Sequence, residues 1–312
     1  MVEKQSLRKA YGDALVELGK QNSDIVVLEA DLGKSTMSCL FKEAFPERYF
    51  EMGIAEQNMA GTSAGLALAG KIPFYSTFAV FAAGRAYDQI RCAIAIPGAN
   101  VKICGSSCGL SDFGDGKTHQ SVEDGNIIKT LPNLIVLNPV DAVELKKMVC
   151  FMARHKGPVY IRVNRNDLPV YTKPEGEFTP GKMNCLREGR DAVIFATGAL
   201  VWKSLEAAEK LQADGISAQV VNVSTLKPLL REEVLKYAAG KKAVITAEEA
   251  TVTGGLGQGI AANIMGEINV PFAQVAINDE FGISAHNYED LLEKYGLSTR
   301  HIYETVKKTL KR

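Results

Sequence analysis

Met52-Gly-Ile-Ala-Glu-Gln-Asn58 leads through Met59 into Ala60-Gly-Thr-Ser-Ala-Gly-Leu-Ala-Leu-Ala-Gly70. The first stretch places one carboxylate, Glu56, at the mouth of a segment made almost wholly of small residues. Small residues let backbones pack closely, so the carboxylate is expected to sit against protein rather than in water. An acid at a helix start is also favoured by the helix dipole, by under about 1 kcal/mol. That effect alone leaves unexplained why this acid occurs in sequence with the motifs below.

Working outward from this stretch, short β-branched runs alternate with helical patterns along the whole chain. The spacing predicts strands at 25–28, 72–76, 101–104, 134–137 and 159–162, and then at 192–196, 218–223, 243–246 and 272–277. The runs are continuous rather than alternating, as expected when helices cover both sheet faces. Helix patterns fill the intervals; Leu145, Met148, Val149 and Met152 share one face. The order predicts an α/β fold of mainly parallel sheets flanked by helices. The alternation pauses after Asp167, where three prolines and two glycines fall within fifteen residues. A connection there divides the chain into two expected domains, 1–172 and 186–312.

Composition narrows the class. The 312 residues are 46% hydrophobic, with 36 basic and 36 acidic side chains and a formal net charge of zero. Such a chain has no basic field for nucleic acid. No apolar run approaches the roughly 20 residues of a membrane span, and the N-terminal residues lack a signal-peptide pattern. Six cysteines in apolar surroundings fit reduced thiols in a cytoplasmic protein. Cys104 and Cys108 have no histidine at zinc spacing, so no metal site is expected in this chain.

Four further segments carry polar chemistry. Glu29-Ala-Asp-Leu-Gly-Lys-Ser-Thr36 follows a strand, the position where open α/β sheets bind ligands; the plainer reading makes Ser35 or Thr36 a helix N-cap. Phe78 and Phe81 are three apart and would share a helix face, forming either core or a wall for a flat heterocycle. Ser111-Asp-Phe-Gly-Asp-Gly-Lys-Thr-His-Gln120 brackets Asp115 with glycines and brings in His119. These are groups that bond hydroxyls and move protons near neutral pH. His155, His286 and His301 read as surface residues of helices. Gly114-Asp-Gly116 resembles the opening of a thiamin-diphosphate metal motif, but the helix and well-spaced asparagine that complete it are lacking. Gly254-Gly-Leu-Gly-Gln-Gly259 lacks dinucleotide spacing and follows Glu248-Glu249, which would repel phosphate; a tight loop and helix start are expected there.

Gly-Ile-Ala-Glu-Gln-Asn, Thr-Phe-x-x-Phe, Gly-Asp-Gly-x-Thr-His-Gln and Arg165-Asn-Asp-Leu-Pro169, in this order and at these separations, resemble transketolases. The likeness covers essentially the whole chain and corresponds to the C-terminal half of a transketolase, the pyrimidine-binding domain and the domain after it. The resemblance implies transfer of a two-carbon ketol unit between ketose and aldose phosphates. It implies that Glu56 bonds the aminopyrimidine of thiamin diphosphate and drives its amino group toward the imino form. It further implies that Phe78 and Phe81 stack on that ring and that Asp31 lies near the cationic thiazolium. Asp115 and His119 then contact donor hydroxyls and the carbonyl, and His119 joins Glu56 as a catalytic group. Arg8, Ser35 and Arg165 form a distal phosphate clamp.

Two positions depart from the family pattern. Gly84 stands where a third aromatic is usual, and Ser107 where a clamp histidine is usual. The diphosphate- and Mg2+- or Ca2+-binding domain has no counterpart in these residues. The resemblance therefore implies an N-terminal partner subunit, a cofactor shared with it and an assembly of two copies of each. It also implies a second domain serving mainly in assembly. Neighbouring readings are a 1-deoxyxylulose-5-phosphate synthase-like enzyme, which uses Arg at the Ser107 position, and the beta subunit of a 2-oxo-acid dehydrogenase, which lacks the His119 motif. A non-catalytic interaction protein on the same scaffold is disfavoured by the intact Glu56, Asp115 and His119.

Overall fold

The structure, a computed structural model, describes residues 3–312. Nine expected strands are all present within a few residues. Ile25–Glu29, Ile72–Phe78, Lys102–Ser106, Ile135–Leu137 and Val159–Val163 lie in one seven-stranded sheet, and all five pair in parallel. Across this sheet the order is Thr225–Lys227, Ile135–Leu137, Val159–Val163, Lys102–Ser106, Ile72–Phe78, Ile25–Glu29 and Tyr49–Glu51. The second sheet has five strands, in the order Phe272–Ile277, Ala243–Thr251, Ala192–Ala196, Ala218–Asn222 and Asn184–Arg187. Every residue of Ile25–Glu29, Lys102–Ser106 and Val159–Val163 is buried, as a sheet covered on both faces requires. The expected α/β architecture is the one observed.

Five short strands escaped the sequence pattern: Lys4–Ser6, Tyr49–Glu51, Asp167–Pro169, Asn184–Arg187 and Thr225–Lys227. Two of them change the picture of the proline-rich stretch. Asp167–Pro169 pairs antiparallel with Lys4–Ser6, and Asn184–Arg187 joins the second sheet antiparallel to Ala218–Asn222. The connection thus begins and ends in hydrogen-bonded backbone. Thr225–Lys227, from the later part of the chain, adds an antiparallel edge to the first sheet beside Ile135–Leu137. Among the described residues, no helix is long and apolar enough to cross a membrane.

In the first sheet the chain reverses its direction of travel between Ile25–Glu29 and Ile72–Phe78. Loops that leave the carboxyl ends of strands at such a point splay apart and open a crevice. The register aligns Phe78 with Ser106 and Ser106 with Val163. The segments that follow these strands therefore emerge at one edge, and they carry Phe81, Asp115, His119 and Arg165.

Candidate active site

Glu56 is the first residue of the Glu56–Leu68 helix. Gly53 turns the chain into it at a φ of +66°, a conformation that a side chain would strain. Ala55, the residue before the helix, offers no side-chain cap. The Glu56 carboxylate is 1% exposed, as its neighbours suggested, but it is not a lone acid. Arg85 Nη1 donates to both of its oxygens, at 2.9 and 2.8 Å. The same guanidinium lies 4.4 Å from the Phe81 ring centroid, a cation–π contact. The site thus already holds a flat, nitrogen-bearing donor stacked on an aromatic face and bonded to Glu56.

Phe78 and Phe81 stack with centroids 6.2 Å apart and planes 14° from parallel. The pair expected from one helix face is real, but its origin differs. Phe78 ends a strand, and Phe81 lies in the π-helix Val80–Arg85 that follows. Wide turns of this kind recur at functional sites. No atom lies within 4 Å of a Cβ placed on Gly84, so the missing third aromatic leaves open space.

His119 sets its ring edge-on to both phenylalanines, at 6.1 Å from Phe78 and 5.5 Å from Phe81. Its Nδ1 is 2.9 Å from Thr118 Oγ1. Asp115, exposed, immediately precedes the short Gly116–Thr118 turn. Arg165 lies 5.8 Å from the Phe78 centroid, and Arg8 Nε donates to its carbonyl at 3.1 Å. Arg8 Nη1 donates to the Ser35 carbonyl at 2.8 Å. The three expected clamp residues therefore meet, Ser35 through its backbone. Ser107 is buried at a φ of +54°, and its Oγ has no partner among the described residues.

Asp31 is exposed, with a φ of +61°, and its N–H donates to Glu51. Its pocket, shared with Ser35, Tyr49 and Glu51, does not include the two phenylalanines. Neither Ser35 nor Thr36 caps a helix. Thr36 and Ser38 instead donate to Glu29, whose carboxyl burial raises to about 7. His155 closes a helix and His286 lies in a loop; only His301 is within a helix. Of the cysteines, Cys104 and Cys108 are buried but Cys92 is exposed.

The later part of the chain also packs against this site, in addition to the assembly role expected of it. Glu249 accepts from the Leu110 N–H at 2.7 Å and the Tyr288 hydroxyl at 2.6 Å, and Asn164 reaches it at 3.3 Å. A Cβ on Gly109, at a φ of +63°, would lie 2.6 Å from the Glu249 carboxyl carbon; only glycine lets the loop pass that closely. Gln120 Nε2 donates to the Asp112 and Ile283 carbonyls, and Ala285 N–H donates to the Phe113 carbonyl at 2.8 Å. Glu248 takes up the helix start in the glycine-rich stretch after it. Its own carboxylate accepts from the Leu256 and Gly257 N–H groups at that helix start.

Burial raises the Glu249 carboxyl to about 7, against the downward pull of Tyr288, Arg162 and Leu110. An acid with a raised folded value binds its proton more tightly when folded. Its contribution to stability is complete below about 4.5 and is lost as pH rises through 7. Glu249→Gln should therefore gain stability relative to the parent between pH 5 and 8, read by urea unfolding. A difference that stays constant with pH would contradict this.

Sequence reasoning missed Arg85, Asp112 and Glu249. Arg85 was findable as a cation four residues after Phe81; the other two act through tertiary contacts that leave no local pattern.

Comparison with known proteins identifies the family. The family model for the transketolase pyrimidine binding domain matches residues 3–170, and that for the transketolase C-terminal domain matches 181–302. The 6-deoxy-6-sulfo-D-fructose transketolase subunit SqwH of Clostridium sp. is 41% identical over 313 residues, covering 100% of this chain and 96% of that protein. An apulose-4-phosphate transketolase subunit of Phocaeicola vulgatus is 35% identical, covering 98% of this chain and 97% of that protein. A solved split gene transketolase, described as an inactive beta4 tetramer, superposes with a TM-score of 0.89 at 47% identity, covering 99% of both chains. Two family models in order along one chain, and similar proteins of matching length, show that this chain belongs to the transketolase family and corresponds to its C-terminal section.

Proposed function

We propose that this chain is the C-terminal subunit of a thiamin-diphosphate-dependent transketolase, moving a two-carbon ketol unit between a ketose and an aldose with anionic tails, phosphate being the tail the family implies. The observation that carries this reading is the buried Glu56 carboxylate holding a flat cation against Phe81. An aminopyrimidine is likewise flat, carries nitrogen donors and stacks on aromatic rings, so the residues fit the group. Glu56 would hold the ring through a hydrogen bond and exchange a proton there, with Phe78 and Phe81 as its wall. When bound, thiamin diphosphate supplies the electron sink for cleavage next to a carbonyl.

The remaining residues act on the sugar. His119 has Nδ1 engaged by Thr118, which leaves Nε2 for a substrate carbonyl or hydroxyl. Asp115, exposed at the loop tip, would accept from a donor hydroxyl. Asp31 would lie toward the thiazolium charge. Arg8 and Arg165, with Ser35 beside them, would receive the distal anion, and Ser107 would add its hydroxyl.

The diphosphate and its Mg2+ or Ca2+ would be held by an N-terminal partner subunit, in an assembly of two copies of each, with 1–172 and 186–312 folding as two units. The chain alone would not catalyse. The solved split gene relative, an inactive tetramer of one subunit type, supports that. The related subunits' names span a sulfonated and a phosphorylated sugar, so the family fixes the reaction more narrowly than the tail.

The test is reconstitution with the thiamin-domain partner. Phe81→Ala should weaken thiamin diphosphate binding by about 1–3 kcal/mol in calorimetry. Unchanged affinity would remove the aromatic wall from the site. Absence of ketol transfer by the parental complex would overturn the proposal.

A further inference from the structure

The distal end of the site carries a countercharge. Arg165 Nη1 donates to Asp112 Oδ2 at 3.0 Å, with the Arg165 side chain 31% exposed and that of Asp112 4%. Asp112 follows the Lys102–Ser106 strand by a few residues, in the loop that also holds Ser107. It is held in place from both sides. Its own carbonyl accepts from Gln120, and the next carbonyl, that of Phe113, accepts from the Ala285 N–H. The charged groups around it are Arg165, Asp115, His119 and Arg8.

The balance of charge at this end is small. Arg8 and Arg165 bring two positive charges, offset by Asp112 on Arg165 and by Asp167 near Arg8. Two carbonyls already engage Arg8, those of Ser35 and Arg165. Ser107 supplies a buried hydroxyl without a partner but no charge. A phosphate monoester carries about −1.5 to −2 at neutral pH. Seated on Arg165 it would face the fixed Asp112 carboxylate, and like charges at close quarters are strongly disfavoured. A sulfonate or a carboxylate carries a single charge and meets less repulsion from these carboxylates than a dianion does.

We propose that Asp112 is a specificity-determining residue that tunes the distal subsite to a sugar whose far end bears one negative charge rather than a dianionic phosphate. The inference rests on Arg8 and Arg165 serving as the clamp of the ketol transfer proposed above. It is tested in the complex reconstituted with the thiamin-domain partner, using one ketohexose with four different ends: phosphate, sulfonate, carboxylate and no anionic tail. The parental complex should have a higher kcat/KM for a singly charged tail than for phosphate, and the sulfonate and carboxylate arms tell which one. Asp112→Asn should move that ratio toward phosphate by about tenfold or more, through KM, with a smaller change for the tail-less ketose. Asp112→Ala and a thermal melt guard against a folding defect, and the parental preference is informative even if neither variant folds. A parental preference for phosphate, or a ratio that Asp112→Asn does not move, overturns the inference. No turnover of any of the four overturns the transketolase reading and this inference with it.

Discussion

Glu56→Gln should lower ketol transfer by the reconstituted complex about 10²–10⁴-fold while leaving the fold intact. The amide has nearly the shape of the acid but cannot give or take a proton at the ring nitrogen that Glu56 is proposed to hold. The structural cost should be small because Glu56 has one charged partner, Arg85, whose side chain is 44% exposed. On losing the carboxylate, that guanidinium can hydrate and keep its contact with Phe81. A partly exposed ion pair is worth about 1 kcal/mol or less. Urea unfolding should thus separate this variant little from the parent, while single-turnover assays separate them widely. Activity within about threefold of the parent would remove Glu56 from the chemistry.

The largest expected effect on stability lies where the Asp124–Ile128 helix meets the Val159–Val163 strand. Asp124 and Arg162 are a buried ion pair, with side chains 0% and 3% exposed. Arg162 Nη2 donates to Asp124 Oδ1 at 2.8 Å and its Nε to Oδ2 at 2.9 Å. The Tyr160 hydroxyl donates to the same carboxylate at 2.9 Å, and Arg162 also reaches the Glu249 carbonyl. Asp124→Ala leaves a guanidinium without its counter-ion and a phenol without its acceptor, both in a place water does not reach. Removing one member of such a pair costs about 3–5 kcal/mol. The loss should appear as a lower urea midpoint in the isolated chain. A loss below about 1 kcal/mol would mean that solvent reaches this pair after all. The consequence extends to function, because the Val159–Val163 strand leads directly to Asn164 and Arg165 in the site.

Much of this arrangement was legible in the residues. Buried parallel strands demand unbroken apolar runs, and those runs marked nine strands. The five that escaped are three or four residues long and gain their hydrogen bonds from distant partners. Lys4–Ser6 and Asp167–Pro169 are the clearest case, since neither has a hydrophobic pattern and each depends on the other. At the site, Glu56, Phe78, Phe81 and His119 were readable as chemistry because their motifs are local. Their assembly was less so: the two phenylalanines stack through a strand end and a π-helix, not along one helix face. Countercharges were hidden for the same reason. Nothing in the sequence near Asp112 points to Arg165, and nothing near Glu249 points to Leu110. Glu248, read as a group that would repel phosphate, proved to be the anion that occupies its own helix start.

The most direct measurement is a crystal structure of the two-subunit complex with thiamin diphosphate. The aminopyrimidine nitrogen is expected within about 2.6–3.2 Å of a Glu56 carboxylate oxygen, with the Arg85 guanidinium displaced from it. A heterocycle bound away from Glu56, with the Arg85 pair intact, would contradict the proposed site.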